Sequence, residues 1–307
     1  MKKKNIDFEE TYNRPVRGFG KLNGIKAGDI VCLFICIIVI VICLVPMIHL
    51  FAKSFSGPQP IIRNEVVLIP KDFNLKAYEY VFGDPKYLKS FGFTGILTVV
   101  SCLLSLVMTT ICAYPLIFPN LKGRGIFNMI ITITMFFGAG TIPNYLLMKD
   151  LAFLDNPIVL VVPYCLSVFN MIILRNFFYG IPDSLREAAE IDGASYFRIL
   201  WTIYVPLSKP VYATLALFYA VGRWNGYSDA LMYIKNPDYF PIQLLMYNII
   251  NNISNIEIST IEGGTPAGLP GAMKAAVVVF ATVPILCIYP WLQKYFIHGA
   301  TMGAVKE

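Results

Sequence analysis

Charge is scarce in this chain: 14% of its 307 residues are Asp, Glu, Lys or Arg, against 56% hydrophobic ones. Ordinary soluble domains carry about 25% charged residues, so the composition speaks against a soluble globule. Histidine is nearly missing, with only His49 and His298. The seven cysteines (Cys32, Cys36, Cys43, Cys102, Cys112, Cys165, Cys287) fall in apolar stretches, none at Cys-x-x-Cys spacing. Neither a zinc site nor a disulfide framework follows from them; such cysteines act as small hydrophobes. No Gly-x-x-x-x-Gly-Lys-Ser/Thr run is present to cradle nucleotide phosphates. Ser-His-Asp, His-Glu-x-x-His and Gly-x-Ser-x-Gly patterns are missing too. The sequence therefore offers no catalytic residues, no metal ligands and no cofactor bound by the chain itself.

What it has instead is long apolar runs. A bilayer core about 30 Å thick takes roughly 20 apolar residues of helix. Six windows fit: Ile30–Phe51, Gly95–Phe118, Ile126–Met148, Ile158–Leu174, Val211–Ile234 and Ala272–Phe296. The fifth is interrupted by Arg223, Asn225 and Asp229. The first is too long, and lacks the small-residue cleavage site, for a signal peptide. The expected fold class is an all-α polytopic membrane protein with six transmembrane helices, the permease domain filling residues 30–296.

Orientation follows from Lys and Arg in the flanks. With the N-terminus inside, cytoplasmic segments hold seven in 1–29, two in 119–125, four in 175–209 and two in 294–307. Outside segments hold six in 53–90, one in 149–156, and Lys235 with Lys274. The cluster Lys2, Lys3, Lys4, Arg14, Arg17, Lys21 and Lys26 ahead of the first window decides for N-in, C-in. The net charge of +6 is read as this topology signal, not as nucleic-acid binding. Residues 1–29 and 297–307 then form cytoplasmic tails, the first with room for a short interfacial helix. Residues 53–90 and 233–272 form long outside loops. Within the first, Asn74 to Phe82 reads as a short helix capped by Asn74. The second is rich in asparagine and ends Gly263-Gly-Thr-Pro-Ala-Gly-Leu-Pro-Gly271. No internal repeat is apparent, which weakens the case for an inverted-repeat secondary transporter.

Between the fourth and fifth windows lies a polar, helix-compatible segment, 183–210. Ser184-Leu-Arg-Glu187 has the form of a capping box, and Leu185, Ala188 and Ala189 share a face at helical spacing. Gly193 can take positive φ and end the turn. Ser195 can cap a second helix carrying Phe197, Leu200, Ile203 and Tyr204 on one stripe, and Pro206 and Pro210 set the entry into the fifth window. Periodicity alone fits an amphipathic hairpin that merely connects two spans. The alanines would equally let another protein's backbone approach.

The residues themselves add more. Glu187-Ala188-Ala189, Asp192-Gly193-Ala194 and Pro206 through Pro210 match the "EAA" signature, so this segment resembles the coupling loop of ABC importer permeases. Thr134-Met-Phe-Phe137, Ile142-Pro-Asn-Tyr-Leu146, Leu174-Arg-Asn-Phe-Phe178, Phe218 through Trp224-Asn225 and the tail Phe296 to Lys306 are similar to that family as well. The likeness covers roughly residues 25–307. It points to the carbohydrate-uptake branch with the maltose-type second permease, and within it to the complex-polysaccharide and lipoprotein subgroup. The asparagine-rich loop 233–272 is longer than in the maltose-type relatives, so contacts there do not carry over.

The resemblance implies a type I permease fold in the cell membrane and a set of partners. These are a second permease, an ABC ATPase dimer that uses ATP and Mg, an extracellular substrate-binding lipoprotein, and an oligosaccharide or glycoside. Glu187, Ala188, Ala189, Asp192, Gly193 and Ala194 would be the ATPase-coupling residues, with the carboxylates facing cations of the ATPase. The tail Gly299–Lys306 would reach the same interface. Polar groups at membrane depth are costly and mark paths or partners, so Arg223, Trp224, Asn225 and Tyr227, with Asn144 and Tyr145, are candidates for the substrate path; Asn170 and Asp229 stand beside them. The same residues also fit a local Arg223–Asp229 pair and an aromatic belt for Trp224 and Tyr227. Three rivals remain: an ion-coupled secondary transporter relying on Asp229, an ion channel, and a membrane-bound enzyme. Dependence on ATP and a co-expressed ATPase separates the importer from all three.

Overall fold

The computed structural model describes residues 27–259 and 271–287, and the regular elements there are helical. Contacts divide the chain into Met1–His49 and Leu50–Glu307. The first unit holds most of α1 (Ala27–Ser54), a 28-residue helix with Pro46 inside. At 1.5 Å per residue it is about 42 Å long, and every residue from Gly28 to Pro46 is exposed.

In the second unit, α2 (Pro58–Ile62) and α3 (Lys76–Gly83) occupy the segment read as a loop. Asn74 Oδ1 accepts from Lys76 N at 2.7 Å, the expected cap. Helix α4 (Pro85–Ala113) starts ten residues before its apolar window, because Asp84 caps it at Lys86 N and Pro85 suits the first turn. Its buried side carries Ser90, Thr94, Thr98, Ser101, Ser105 and Thr109, while Ile96, Val99, Leu103 and Ile111 face outward. A soluble helix would show the reverse. Small polar residues inside and large apolar ones outside are the packing pattern of a helix solvated by lipid.

Helix α4 is the hub. It packs most extensively on α10 (Lys209–Trp224), then on α7 (Val168–Phe178) and α12 (Ile242–Ser259). Thr109 and Thr110 hydroxyls lie 2.6 and 2.7 Å from the Tyr219 and Tyr212 hydroxyls of α10. At the other end Ser90 Oγ donates to Phe240 O at 2.6 Å, and Ile242 N donates to Thr94 Oγ1 at 2.8 Å.

Several expected straight windows are broken. The third is α5 (Arg124–Phe136) and α6 (Thr141–Asp150), meeting at 113° across a Gly-Ala-Gly turn where Gly140 has φ +88°. The fourth begins as 3-10 turns around Pro157 and Pro163, then bends 44° into α7. The fifth stops at Trp224 and resumes as α11 (Ser228–Tyr233). Among the described residues two helices are long and apolar enough to cross a membrane, or four if each bent pair is one span. The segment 233–272 is not simply a loop: it holds α12, whose Ile242, Leu245, Met246 and Ile249 recur at helical spacing. Helix α13 (Gly271–Cys287) buries Ala272, Ala275, Ala276 and Ala281. The basic N-terminal cluster, residues 260–270, Ile288–Phe296 and the tail to Glu307 lie outside the described residues.

The connection after α6 is pinned by a carboxylate. Asp155 Oδ1 accepts from Lys235 N and Asn236 N at 2.9 and 2.8 Å, and Asp155 N donates to Tyr233 O at 2.9 Å. Those two backbone donors hold its pKa below the ordinary 3.8. A depressed carboxylate stabilises above its unfolded pKa, and that contribution fades as pH falls through the folded value. Asp155→Ala is therefore expected to speed amide exchange at Lys235 and Asn236 at neutral pH. The wild type should do so, relative to unfolded-chain rates, only once the pH falls below 3.8.

Candidate functional site

The segment after α7 folds as the glycine pattern requires. Helix α8 (Asp183–Ile191) ends with Gly193 N donating to Glu190 O at 3.0 Å and Ala194 N donating to Ala189 O at 2.9 Å. With Gly193 at φ +79° this is a Schellman ending, which needs the left-handed residue that glycine supplies. Ser195 Oγ accepts from Arg198 N at 3.3 Å and starts α9 (Tyr196–Ile199). A π-helical turn, Leu200–Tyr204, and a single turn at Val205–Leu207 lead into α10. The expected Ser184–Glu187 capping box does not form, since Pro182 occupies the cap and makes no side-chain bond.

One side of this hairpin is anchored. Ile199, Leu200 and Tyr204 are buried in the core with Tyr114 and Phe178, and Tyr204 stacks edge-on to both rings at 5.3 Å. Tyr114 OH donates to Tyr196 O at 3.0 Å. Arg186 lies over the Phe118 ring at 5.6 Å and reaches Asp183, Glu190 and Glu187 at 3.3, 3.5 and 3.9 Å. The other side is open. Ile191 is 87% exposed and Phe197 68%, and Glu187, Ala188, Asp192 and Gly193 are exposed beside them; Ala189 and Ala194 are half-buried against the core. Phe197 thus leaves the stripe it shares in sequence with Leu200 and Tyr204.

A second feature lies within the helices. A cavity of about 480 Å³ is lined by α4 (Ser101, Ser105), the turns before α7 (Leu160, Tyr164, Ser167), α7 itself (Asn170) and the broken α10–α11 segment. Arg223 crosses that break. Its Nη1 donates to Leu160 O at 2.8 Å and to Asp229 Oδ2, and its Nη2 donates to Asp229 Oδ1 at 3.0 Å and Gly226 O at 3.4 Å. Both side chains are nearly buried, at 7% and 12% exposure. A Cβ on Gly226 would lie 2.6 Å from Arg223 Nη2. Gly226→Ala should therefore shift this pair and cost about 1–3 kcal/mol, the range for overpacking, read as a lower Tm in detergent.

The substrate-path candidates separate in space. Arg223 lines the cavity, with Asp229 and Asn170. Trp224 faces away: it is buried against Phe91 at 5.5 Å, and its Nε1 donates to Ala281 O at 3.2 Å. Asn225 is exposed and donates back to Val221 O, which helps end α10. Tyr227 stacks on Tyr247 at 5.1 Å. Tyr145 packs parallel to Tyr233 at 6.1 Å, and Asn144 is exposed beside it. Sequence reasoning missed Ser101, Ser105, Tyr164, Ser167 and Tyr219. The serine and threonine stripe of α4, at spacings of three and four, is the signal that points to Ser101 and Ser105.

Residues 86–301 match a family described as "Binding-protein-dependent transport system inner membrane component". The chain is 39% identical over 267 residues to Protein LplC of Bacillus subtilis (strain 168), covering 86% of this chain and 90% of that protein. It is also 39% identical over 266 residues to the polygalacturonan/rhamnogalacturonan transport system permease protein YtcP of the same organism, covering 86% and 93%. Among solved structures it is similar to a chain of a bacterial ABC transporter involved in the import of the acidic polysaccharide alginate. The TM-score there is 0.80 at 32% identity, over 89% of this chain and 99% of that one.

Proposed function

This chain belongs to the family of binding-protein-dependent transport system inner membrane components, a permease subunit of an ABC importer; from that premise we propose that it imports an oligosaccharide or glycoside, driven by the 183–210 hairpin. The sugar reading is supported by what its relatives are named for: a polygalacturonan/rhamnogalacturonan system and, at 26% identity over 266 residues, an arabinooligosaccharide permease of Halalkalibacterium halodurans. We read the chain as a six-span, N-in/C-in type I permease half. It forms the translocation path with a second, different permease and receives substrate from an extracellular binding lipoprotein. A separate ATPase dimer binds and hydrolyses ATP with Mg.

The observation that carries this reading is the two-sided hairpin. Its open side exposes the apolar side chains of Ile191 and Phe197 and the carboxylates of Glu187 and Asp192, with Arg198 exposed next to Phe197. Such a surface suits a soluble partner that offers an apolar groove and cations. Its anchored side is part of the core that joins α4, α7 and α10. Packed interiors are stiff, so displacement of the hairpin by nucleotide-driven closure of the ATPases would tilt these helices instead of being absorbed locally. The break at Asn225–Gly226, bridged by Arg223, lies at the far end of α10, where a change of tilt would open or close the path.

Purification of the tagged chain in mild detergent, with mass spectrometry of what co-elutes, tests the assembly. A second permease, an ATPase and a binding lipoprotein are expected. A chain that purifies alone and transports without ATP would count against it and favour an ion-coupled transporter.

A further inference from the structure

The seam between α5 and α7 carries two arginines that form no ion pair among the described residues. Arg124 and Asn128, one turn apart on α5, meet Tyr179 and Arg175, one turn apart at the end of α7. Arg124 Nη2 donates to Tyr179 OH at 2.7 Å, and its guanidinium lies over that ring at 5.5 Å. Tyr179 OH donates in turn to Leu116 O at 2.9 Å. At the next turn Arg175 Nη1 donates to Asn128 Oδ1. The two guanidiniums therefore stand about one helical turn, roughly 5.4 Å, apart along the seam.

Their charge is not offset nearby. Arg124 lines a cavity of about 230 Å³ together with Asp183, but that carboxylate is held by Arg186 at 3.3 Å. Lys122, exposed two residues before Arg124, adds a third positive charge. Arg175 is half-buried on a helix whose Met171, Leu174 and Phe178 are core residues. Its Nε is closed off and Asn128 takes Nη1, which leaves Nη2 as the open edge. Withdrawing a cation from water without a counter-charge is costly, so the seam is built for an anion that the described residues do not supply. The flank of α5 beside it is apolar: Ile126, Phe127, Ile130 and Ile133 are exposed, and the Thr132 and Thr134 hydroxyls are spent on carbonyls of their own helix.

We propose that the cytoplasmic end of the α5–α7 seam binds the phosphate of an anionic phospholipid between Arg124 and Arg175, with the acyl chains along the open flank of α5. Guanidinium forks match phosphate oxygens, and basic pockets between membrane helices hold anionic headgroups. A zwitterionic lipid offers the same phosphate but brings its own ammonium into a site that already holds three cations, so it binds less tightly. The importer reading enters only through the side of the membrane, since Arg124 shares its cavity with Asp183 and Arg186 of the hairpin.

The test is native mass spectrometry of the complete importer released from nanodiscs of phosphatidylglycerol and phosphatidylcholine in equal parts. The chain is compared as wild type, Arg124→Gln, the double variant Arg124→Gln/Arg175→Gln, and Lys149→Gln. Lys149 is an exposed cation at the far end of the bent α5–α6 pair, so its loss removes the same charge away from the seam. The expected result is that the wild type retains phosphatidylglycerol over phosphatidylcholine. Arg124→Gln should lower that preference about fivefold and the double variant about twenty-five-fold, the scale for one and two cations at an anionic headgroup, with Lys149→Gln unchanged. Should the double variant fail to fold, the half-exposed Arg124→Gln decides alone. Equal retention of the two lipids, or the same loss in Lys149→Gln as in Arg124→Gln, overturns the site. Displacement of the lipid by an equal concentration of inorganic phosphate overturns the lipid as its ligand. A cryo-EM map of the same nanodiscs that places a carboxylate of the second permease at Arg175, in place of a headgroup, overturns it too. The same spectra report the subunits, so a chain that carries the lipid but no ATPase sinks the importer reading and leaves the site standing.

Discussion

Gly193→Pro is expected to abolish ATP-driven uptake while leaving the chain inserted in the membrane at its normal level. Proline fixes φ near −65° and has no N–H, whereas Gly193 holds φ +79° and donates to Glu190 O. The Schellman ending cannot form, and α9 leaves α8 in another direction. The local cost is about 3 kcal/mol or more on the scale for proline in helices, equivalent to roughly a hundredfold fall in the correctly shaped hairpin. Gly193→Ala isolates the backbone part. A Cβ there meets nothing within 4 Å, so only the left-handed conformation is penalised, by about 1–2 kcal/mol, and uptake should fall by about tenfold. Glu187→Lys reverses the charge on the open side and should also block uptake with insertion intact. Quantitative blotting of membranes beside uptake assays checks all three. Normal uptake in Gly193→Pro and Glu187→Lys would remove the hairpin from the coupling mechanism.

Arg223→Met and Asp229→Leu should each destabilise the protein strongly, and the double variant should recover most of the loss. Removing either partner leaves an uncompensated charge at 7% or 12% side-chain exposure, and such losses run to about 3–5 kcal/mol. Arg223→Met also strips Leu160 O and Gly226 O of their donor. Replacing both ends by apolar residues of similar volume is often close to neutral. Thermal unfolding midpoints in detergent for the four proteins form a double-mutant cycle. Additive losses would mean that the two side chains do not depend on each other across the α10–α11 break.

Much of the molecule was legible from residue pattern. Apolar runs gave the long helices, Asn74 and Ser195 gave their caps, and Gly193 gave the turn at positive φ. The breaks were not. A window such as Ile126–Met148 has the length and apolarity of a span, yet Gly140 lets the chain turn by 113° inside it. Hydropathy sums composition and is blind to one residue's φ. Helix α12 was hidden for the opposite reason, because its asparagines dilute a periodic apolar pattern. The cavity was only half visible. Charge and aromaticity drew attention to Arg223, Trp224 and Tyr227, but the helix break sends Trp224 to Ala281 and Tyr227 to Tyr247. The serines of α4 looked like ordinary small residues until packing showed them inside a lipid-type helix.

The central claim is that this chain transports by coupling to an ATPase. It is tested most directly by sugar accumulation in proteoliposomes holding the full importer, with hydrolysable ATP or a non-hydrolysable analogue inside and every ion gradient collapsed. Accumulation with ATP, and its loss with the analogue, is the expected result. Accumulation without an ATPase, driven by a proton or sodium gradient, would contradict it.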